Sequence, residues 1–557
     1  MTLERSDLAE RPYAPARDRR PGQWLWIAIL ALTAAAPYVL TLRYGFVYDD
    51  KPQIVENQDL LSLENLPRFF AQSISKAVGS HNTGQPVFYR PLFFSQLCLT
   101  RRLFGPGPFG FHLVSLLFQI GNTLLLYFTA ARLGVRPAAA YLAAMLFAVH
   151  PVHVESVVWV SASPELMVLA GILCSMLAFL IAEACSSRSA RYRWQAFSLA
   201  AFLAALFVKE TALIALPVVA AIAFFEPSAK TSARRRLAAD LAPYIGIALF
   251  YCAVRTHVLH GMVATVTPAS WLDMARTWPG VLWFYERHLV LPVHTSLLYD
   301  YDLVQHATRA AFWIPLAGVV ATLVVTAFLL WRHRSLAVLI AALLIVLPVL
   351  LVLDFRVFYW GDLVHDRYLY IPSAGLCMLA AMALWELGRR LERTISSLAQ
   401  QLLAAALLFG LALTTIAEAQ PWKNNLLLLA NAAEIAPRNI AAQFMLGDEL
   451  ESRNNFAEAR ICYRRSLELT PAWAPAWFAY GRTLLLTQDA EGAIQSFQRA
   501  IRLDASPIAE VWFSLALEQA GRRDEARTAL SAAIAQDPSM RQAYAAVQNR
   551  VMSAARN

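Results

Sequence analysis

The sequence predicts an all-α protein, in which a polytopic bundle of about eleven transmembrane helices is followed by a C-terminal helical-repeat solenoid. Two observations lead to this fold class. Of the 557 residues, 58% are hydrophobic and only 16% are charged, which is too apolar for an ordinary soluble domain. Beyond residue 437, proline, glycine and aromatic residues recur with a period of about 34 residues, which is typical of paired-helix repeats.

Apolar runs that are long enough, or nearly long enough, to cross about 30 Å of hydrocarbon account for the predicted spans. Runs shorter than about 20 residues indicate tilted or partly buried helices. A further apolar stretch, 278–291, is interrupted by Glu286, Arg287 and His288, so we expect an interfacial helix there. The predicted spans lie near 24–42, 110–131, 137–151, 164–183, 195–208, 211–225, 238–256, 310–330, 335–353, 369–387 and 397–417.

The positions of the basic residues predict the orientation of the bundle. Arginine and lysine cluster in alternate connections between the runs, which are therefore expected to be cytoplasmic. Residues 1–23 then form a cytoplasmic tail, whereas the loop 43–109 and everything after residue 417 are extracytoplasmic. This distribution accounts for the formal net charge of +9, so no nucleic-acid partner is expected. The excess of arginine over lysine fits a GC-rich bacterial source, and the expected location is the inner (cell) membrane.

Residues 421–557 form the predicted solenoid, with about three tetratricopeptide (TPR) repeats. Pro437 and Pro471 lie one TPR length apart. Because a TPR solenoid presents a concave face, this domain is predicted to bind a peptide segment rather than to catalyse a reaction. The small and aromatic packing positions are Leu446, Gly447, Ala459 and Tyr463 in the first copy, Trp477, Tyr480, Gly481, Ala493, Phe497 and Ala500 in the second, and Phe513, Ala526, Leu530 and Ala533 in the third, which lacks the glycine.

Four groups of polar residues lie at the predicted extracytoplasmic ends of the helices, where ionisable side chains are costly and are therefore candidates for function. Asp49 and Asp50 directly follow the first span. Two adjacent carboxylates in a low-dielectric crevice cannot both ionise easily, so one is a candidate general base, although from the pair alone a solvated loop pair is favoured. The other groups are His150, His153 and Glu155, then Lys209 and Glu210, and then His365, Asp366, Arg367 and Tyr368.

Structural alternatives exist for these groups. The spacing of His150, His153 and Glu155 is compatible with a divalent metal, but hydrogen-bonded residues that close a short hairpin are favoured. Lys209 and Glu210 fit a buried ion pair and a phosphate contact equally well. No cofactor is certain, and the six scattered cysteines lack the spacing of a zinc or redox site.

Carboxylates and cations on one membrane face fit an anionic, lipid-borne substrate, of which a polyprenyl phosphate is the obvious example. Two other functions stay open. A non-catalytic membrane-anchored TPR scaffold explains the repeats but not the ionisable residues. A transporter of a lipid-linked sugar would place its charges near the middle of the bilayer, whereas these lie at the ends of the spans.

Further motifs join these groups. In chain order, the complete set is Asp49-Asp50 after Phe-Val-Tyr, Tyr89-Arg90-Pro91-Leu92, the stretch 150–159, Lys209-Glu210, Tyr299-Asp300-Tyr301 and Asp366-Arg367-Tyr368, followed by the repeats. The combination resembles the transmembrane and tetratricopeptide-repeat O-mannosyltransferase-like proteins of the GT-C glycosyltransferase superfamily. The resemblance implies a GT-C-like transmembrane domain over 24–420.

The resemblance also implies a reaction, in which a sugar moves from a polyprenyl-phosphate-linked donor to a hydroxyl group of a protein or glycan. Asp49 or Asp50 would be the catalytic base. The implied residues of the donor-phosphate and substrate site are Arg90, His153, Glu155, Lys209, Glu210, Asp366, Arg367 and Tyr368. The TPR array is short, which favours a compact acceptor segment, and the identity of the sugar stays open.

Overall fold

The computed structural model describes residues 23–73, 88–225, 233–261, 269–304, 310–333, 335–358 and 361–554. These residues are almost entirely helical, and they contain no β-strand. The chain divides into two compact units, which we call the membrane unit (Met1–Thr295 and Leu303–Asn424) and the TPR unit (Ser296–Asp302 and Asn425–Asn557). The all-α fold predicted from the sequence is confirmed.

The membrane unit is built from long apolar helices that are joined by short helical turns. Proline occupies the first turn of many of them, where its missing N–H is not needed for the helix. The helices are α1 (Gln23–Ala35), α2 (Leu66–Ala71), α3 (Pro91–Phe104), α4 (Pro108–Arg132), α5 (Pro137–Ala148), α6 (Val154–Val158), α7 (Pro164–Ala184), α8 (Arg188–Val208), α9 (Ala215–Phe225), α10 (Ala233–Leu259), α11 (Trp271–Val290), α12 (Ala310–His333), α13 (Leu336–Leu351), α14 (Tyr370–Leu391) and α15 (Ser397–Ala419).

The predicted spans all fall on helices of this unit. Within the described residues, 7 helices are long and apolar enough to cross a membrane, or up to 8 if the pair α5 and α6, which is bent by 50°, forms one span. The remaining predicted spans are α8, whose first turns carry Arg188, Arg191 and Arg193, and the shorter helices Glu210–Phe225 and Leu336–Leu351. The chain is therefore a multi-pass membrane protein, and the lower count reflects these short or charged helices.

The predicted interfacial stretch 278–291 lies on α11 up to Val290, and this helix is not among the candidate spans. Its first turn is capped by Ser270, whose hydroxyl oxygen accepts a hydrogen bond from the Asp273 N–H at 3.1 Å. Charged residues interrupt its apolar face, as the sequence indicated. The predicted topology depends on this helix staying outside the bilayer core, and it remains a prediction.

The described parts of the loop after the first span pack into a small hydrophobic cluster together with Phe111 of α4 and Val160. Short helical turns follow one another over Lys51–Val55, Gln58–Leu61 and Leu63–Asn65, and α2 and α3 complete the segment. The aromatic content of the loop is therefore used in packing. The buried residues are Ile54, Leu60, Phe69, Phe93, Phe94, Leu97, Cys98, Phe111 and Val160.

The TPR unit is a series of antiparallel helix pairs. Gly447 packs against the Tyr463 ring so closely that an added Cβ would lie 2.7 Å from Cε1, and Gly481 stands in the same relation to Phe497 at 3.0 Å. These are the small and aromatic positions predicted from the repeat. The helices are α16 (Asn425–Ile435), α17 (Ile440–Ser452), α18 (Phe456–Leu469), α19 (Ala474–Leu486), α20 (Ala490–Leu503), α21 (Pro507–Gln519), α22 (Arg523–Gln536) and α23 (Met540–Ala554).

The short segment Ser296–Asp302 belongs to the TPR unit although the sequence places it between α11 and α12. The carbonyl oxygen of Tyr299 accepts a hydrogen bond from the Asn439 Nδ2 at 2.9 Å, and the carboxylate of Asp300 accepts one from the Arg438 N–H at 3.1 Å. The Tyr299-Asp300-Tyr301 motif therefore contacts the start of α17.

Candidate active site

The two adjacent aspartates follow a sharp backbone turn after the first span. The candidate span ends at Arg43, and Tyr48 has a φ of 48°, a left-handed conformation that is uncommon for residues other than glycine. The Tyr48 ring lies 5.5 Å from the Trp159 ring between centroids. The two carboxylates that follow this turn, Asp49 and Asp50, have different environments.

Asp50 is fully buried and is held on both carboxylate oxygens. Its Oδ1 accepts hydrogen bonds from the Ser161 N–H at 2.9 Å and the Ser161 hydroxyl at 2.6 Å, and its Oδ2 accepts one from the Val47 N–H at 3.2 Å. Burial raises the pKa of Asp50 to about 7, although the bonds from Ser161 and Val47 act in the opposite direction. Asp50 therefore ties the loop to the turn before α7, and its oxygens are occupied.

Asp49 is only partly buried, and its carboxylate has a looser environment. The hydrogen bond that it accepts from Gln53 Nε2 is 3.4 Å long. Burial raises the pKa of Asp49 to about 6, and the positive charge of Arg367 is the strongest influence that lowers it. Asp362 raises the pKa further, whereas His365 and Arg90 lower it. An accessible carboxylate with this pKa can accept a proton near neutral pH.

Arg367 is fixed between a carboxylate and two aromatic rings. Its Nη1 donates to Glu155 Oε1 at 2.5 Å, and its backbone N–H donates to Glu155 Oε2 at 3.0 Å. The guanidinium carbon lies 5.0 Å from the ring centroids of both Trp159 and Tyr368. Cation–π contacts and a carboxylate pair hold the planar group in one orientation.

Lys209 forms a buried ion pair with Glu165, at the start of α7, and not with its neighbour Glu210. The side chains of Lys209 and Glu165 are only 8% and 5% exposed. The Lys209 Nζ also lies 4.9 Å from the centroid of the Tyr368 ring, so both Lys209 and Arg367 contact that residue. Of the two interpretations of Lys209-Glu210, the buried ion pair is therefore present for Lys209, but its partner is Glu165, 44 residues away in the sequence.

Glu210 belongs to a second charged group beside the first. Its carboxylate lies 3.9 Å from Arg255 on α10, and Arg90 and Lys209 also act on it electrostatically. The Arg90 Nε is buried, and within the described residues it has no hydrogen-bond partner. Arg90 acts electrostatically on Asp49 as well, so its charge bears on both groups.

The motif before α14 supplies further polar contacts to the same region. The Asp366 Oδ1 lies 3.1 Å from His288 Nδ1 on α11, and the His365 Nε2 lies 3.2 Å from Asp362 Oδ1. The His365 Nδ1 is 3.9 Å from Glu155, the carboxylate that pairs with Arg367. Asp366 is buried, so its described role is to join α11 to the start of α14.

His153 lies in the helix core and not on the cluster around Arg367. It is fully buried, its Nε2 lies 2.7 Å from Ser373 Oγ, and its Nδ1 lies 3.3 Å from Gln119 Nε2. Its ring contacts Phe147 at 4.4 Å and Tyr370 at 4.7 Å between centroids. These contacts correspond to the hydrogen-bonded structural alternative for the stretch 150–159.

The structure thus brings together Arg367, Glu155, Tyr368 and Lys209 by direct contacts. Asp49 is linked to this cluster because the ring of the preceding Tyr48 packs on Trp159, which Arg367 also contacts. Sequence reasoning missed Glu165, although an acidic residue in the first turn of an apolar helix was a usable signal. It also missed Arg255, His288 and Ser161, for which no local pattern exists. In the described part of the chain, no group of three or more His, Cys, Asp or Glu residues could hold a metal ion.

Comparison with known proteins identifies relatives of both parts of the chain. The tetratricopeptide repeat family matches residues 440–472 and 474–507. Protein O-mannosyl-transferase F38B6.6 of Caenorhabditis elegans is 23% identical over 462 residues, covering 80% of this chain and 63% of the relative. Protein O-mannosyl-transferase TMTC1 of Mus musculus is 25% identical over 591 residues, covering 86% and 62%. The chain therefore spans less than two thirds of the length of these relatives.

A shorter match is closer in sequence. Protein O-mannosyl-transferase Tmtc2 of Drosophila melanogaster is 34% identical over 191 residues, covering 33% of this chain and 20% of the relative. The resemblance to O-mannosyltransferase-like proteins that the motifs indicated is confirmed, since this chain is their homologue.

Two solved structures match over most of this chain. ArnT from Cupriavidus metallidurans bound to undecaprenyl phosphate has a TM-score of 0.37 and 15% identity, covering 90% of this chain and 78% of ArnT. The apo Archaeoglobus fulgidus oligosaccharyltransferase has a TM-score of 0.41 and 13% identity, covering 77% and 60%.

Proposed function

We propose that this homologue of the protein O-mannosyl-transferases is a membrane glycosyltransferase that uses a polyprenyl-phosphate-linked sugar and a hydroxyl acceptor at the extracytoplasmic face. The acceptor would be a protein or a glycan. The observation that carries the proposal is the partly buried Asp49 carboxylate after Tyr48, whose ring packs on Trp159, the same residue that the fixed cation Arg367 contacts. A base and a phosphate-binding cation are the two groups that this transfer needs.

Asp49 is the proposed general base. Its carboxylate takes the proton of the acceptor hydroxyl while the hydroxyl oxygen forms a bond to the anomeric carbon of the sugar. The bond between that carbon and the donor phosphate oxygen breaks, and the polyprenyl phosphate leaves with the electron pair. Asp50 is assigned a positioning role, because Ser161 and Val47 already occupy its oxygens.

The cations are proposed to stabilise the leaving phosphate to different degrees. Arg367 and Lys209 are each paired with a carboxylate, Glu155 and Glu165, so each pair carries little net charge. Arg90 has a buried Nε without a hydrogen-bond partner among the described residues. We therefore assign the most direct phosphate contact to Arg90, with Arg367 and Lys209 contributing oriented N–H donors.

The TPR unit is proposed to hold the acceptor. Its repeats are binding modules and carry no part of the proposed chemistry. The bacterial inner membrane and the extracytoplasmic position of both the active site and the TPR unit belong to the same proposal, because they rest on the pattern of basic connections.

The test is sugar transfer by the purified full chain. Polyprenyl-phosphate mannose is the first donor to use, because the relatives are O-mannosyl-transferases by name. Asp49→Asn keeps the size of the side chain but cannot accept the proton, so the transfer rate should fall by roughly 10²–10⁴-fold while donor binding changes little. Glu64→Gln is the matched control, since Glu64 is an exposed carboxylate in the same loop.

Two outcomes would contradict this assignment. Near-normal transfer by Asp49→Asn would remove Asp49 as the base. Equal losses of donor binding in Asp49→Asn and Arg90→Gln would mean that Asp49 acts in binding and not in the chemical step. In the expected result, Arg90→Gln weakens donor binding as well as transfer, because a cation at the phosphate contributes before and during bond cleavage.

A further inference from the structure

The last helix of the TPR unit lies in an unusual place. In a solenoid, the first helices of successive repeats stack side by side and line the concave face. Here these helices are α17, α19 and α21, and α23 follows the last repeat. A helix that simply continued the stack would be separated from α17 by three repeats, or about 25–30 Å at an interaxial distance of about 8–10 Å.

Instead, α23 contacts the first repeat directly. The Arg550 Nη2 donates to Glu451 Oε1 on α17 at 2.8 Å. An arginine side chain extends only about 7 Å from its Cα, because it has few bonds of about 1.5 Å each. The helix must therefore turn back across the face formed by α17, α19 and α21.

The rest of α23 contacts the third repeat along its length. The Tyr544 hydroxyl lies 2.8 Å and 2.9 Å from the two carboxylate oxygens of Glu518 on α21. Tyr544, Val547 and Val551 also pack against the apolar cluster around Trp512 and Leu515. Because 544, 547 and 551 are helical neighbours, one face of α23 covers the apolar surface while Arg550 reaches the acidic end.

The carboxylate of Glu451 has partners other than Arg550. Glu451 also accepts a hydrogen bond from the Thr483 hydroxyl at 3.1 Å, and it pairs with Arg482 Nε at 2.8 Å. The side chain of Glu451 is 2% exposed, whereas that of Arg550 is 47% exposed. The carboxylate therefore belongs to the solenoid, and Arg550 is an exposed partner whose loss leaves Glu451 paired.

We propose that the concave face of the TPR unit is a binding site for helical segments that carry an arginine and a tyrosine about two turns apart, and that α23 occupies this site as an intramolecular competitor. A partner segment with this chemistry binds after α23 leaves. In this site Glu451 pairs with the arginine of the bound helix, and Glu518 accepts a hydrogen bond from its tyrosine, about two helical turns away. The apolar cluster contacts the residues between them. The inference does not depend on the proposed glycosyl transfer.

The test uses the full-length protein and a labelled synthetic peptide of residues 538–554 as the probe. The double variant Tyr544→Ala, Arg550→Ala removes the two polar contacts that hold α23. A tethered segment acts at an effective concentration of about 1 mM, so for a peptide Kd of about 100 µM its release should tighten the apparent affinity about tenfold. Hydrogen exchange of the α23 amides should become faster in the same variant.

Two controls separate a binding site from a structural cap. Arg541→Ala changes an exposed arginine on the same helix and should leave both peptide affinity and α23 exchange as they are in the unmodified chain. Adding Glu518→Ala to the double variant should reduce peptide binding, and Glu518 is exposed, so the fold is kept. The proposal is overturned if the double variant binds the peptide no more tightly than the unmodified chain, or if Glu518→Ala leaves its binding unchanged.

Discussion

The pKa of Asp49 makes the proposed base testable through the pH dependence of transfer. Burial raises that pKa from 3.8 to about 6, and a general base acts only when it is ionised. At pH 5 about 9% of a group with this pKa is ionised, and at pH 7 about 90%, so the transfer rate should rise about tenfold between these values. With an unshifted pKa, the carboxylate would already be more than about 90% ionised at pH 5, and the rate would barely change.

Substitutions of two charged residues that act on Asp49 should move the midpoint of this pH profile in opposite directions. Arg367 is the cation that most lowers the pKa of Asp49, so Arg367→Gln should shift the midpoint to higher pH. Asp362 raises the pKa of Asp49, so Asp362→Asn should shift the midpoint to lower pH. The plateau rate of Arg367→Gln will also fall, because Arg367 is proposed to contact the phosphate, but the midpoint is independent of the plateau.

The assay is initial-rate transfer at saturating donor between pH 4.5 and 8, with Glu64→Gln as the control whose midpoint should not move. A rate that is flat across this range, or a midpoint that moves to higher pH in Asp362→Asn, would refute the assignment of the base.

Other perturbations test the fold and the topology. Lys209→Met should destabilise the membrane unit by about 3–5 kcal/mol because it leaves the buried Glu165 unpaired, whereas adding Glu165→Met should recover much of the loss; thermal unfolding in detergent measures both, and a double variant as unstable as the single one would contradict the pairing. Gly447→Ala should lower the stability of the TPR unit by about 1–3 kcal/mol, since its Cβ would meet the Tyr463 ring, and a melting temperature equal to that of the unmodified chain would show that the ring can move aside. A C-terminal reporter that is active only in the cytoplasm should be silent, and an active one would reject the extracytoplasmic placement.

The periodic parts of the fold were predictable from the sequence because their signals are local. The repeat near Gly447 and Tyr463 places a small residue against a large one within one helix pair, and the structure has that contact. Apolar runs likewise marked each membrane helix. Helix α8 was predicted as a span but is not among the candidate spans, because the arginines of its first turns shorten its apolar part.

The partners within the site could not be predicted, because they depend on tertiary contacts. Lys209 pairs with Glu165 and not with the adjacent Glu210, since neighbouring residues after a helix end project in different directions. His153 and Glu155 are two residues apart, yet one lies in the helix core and the other pairs with Arg367. Sequence spacing alone does not determine which side of a short turn faces the core.

Because of the turn at Tyr48, the segment around it should tolerate changes of residue type better than changes of length. Because successive side chains after the turn point to different partners, removing one residue between Tyr44 and Asp49 would place Asp50 where Asp49 stands and Lys51 in the anchoring position. Inserting one residue would place Asp49 in the anchoring position against Ser161 and Tyr48 in the position of the free carboxylate. Substitutions in this stretch can be absorbed by local repacking, but single-residue deletions and insertions cannot, and deep mutational scanning that includes both kinds of change would distinguish them.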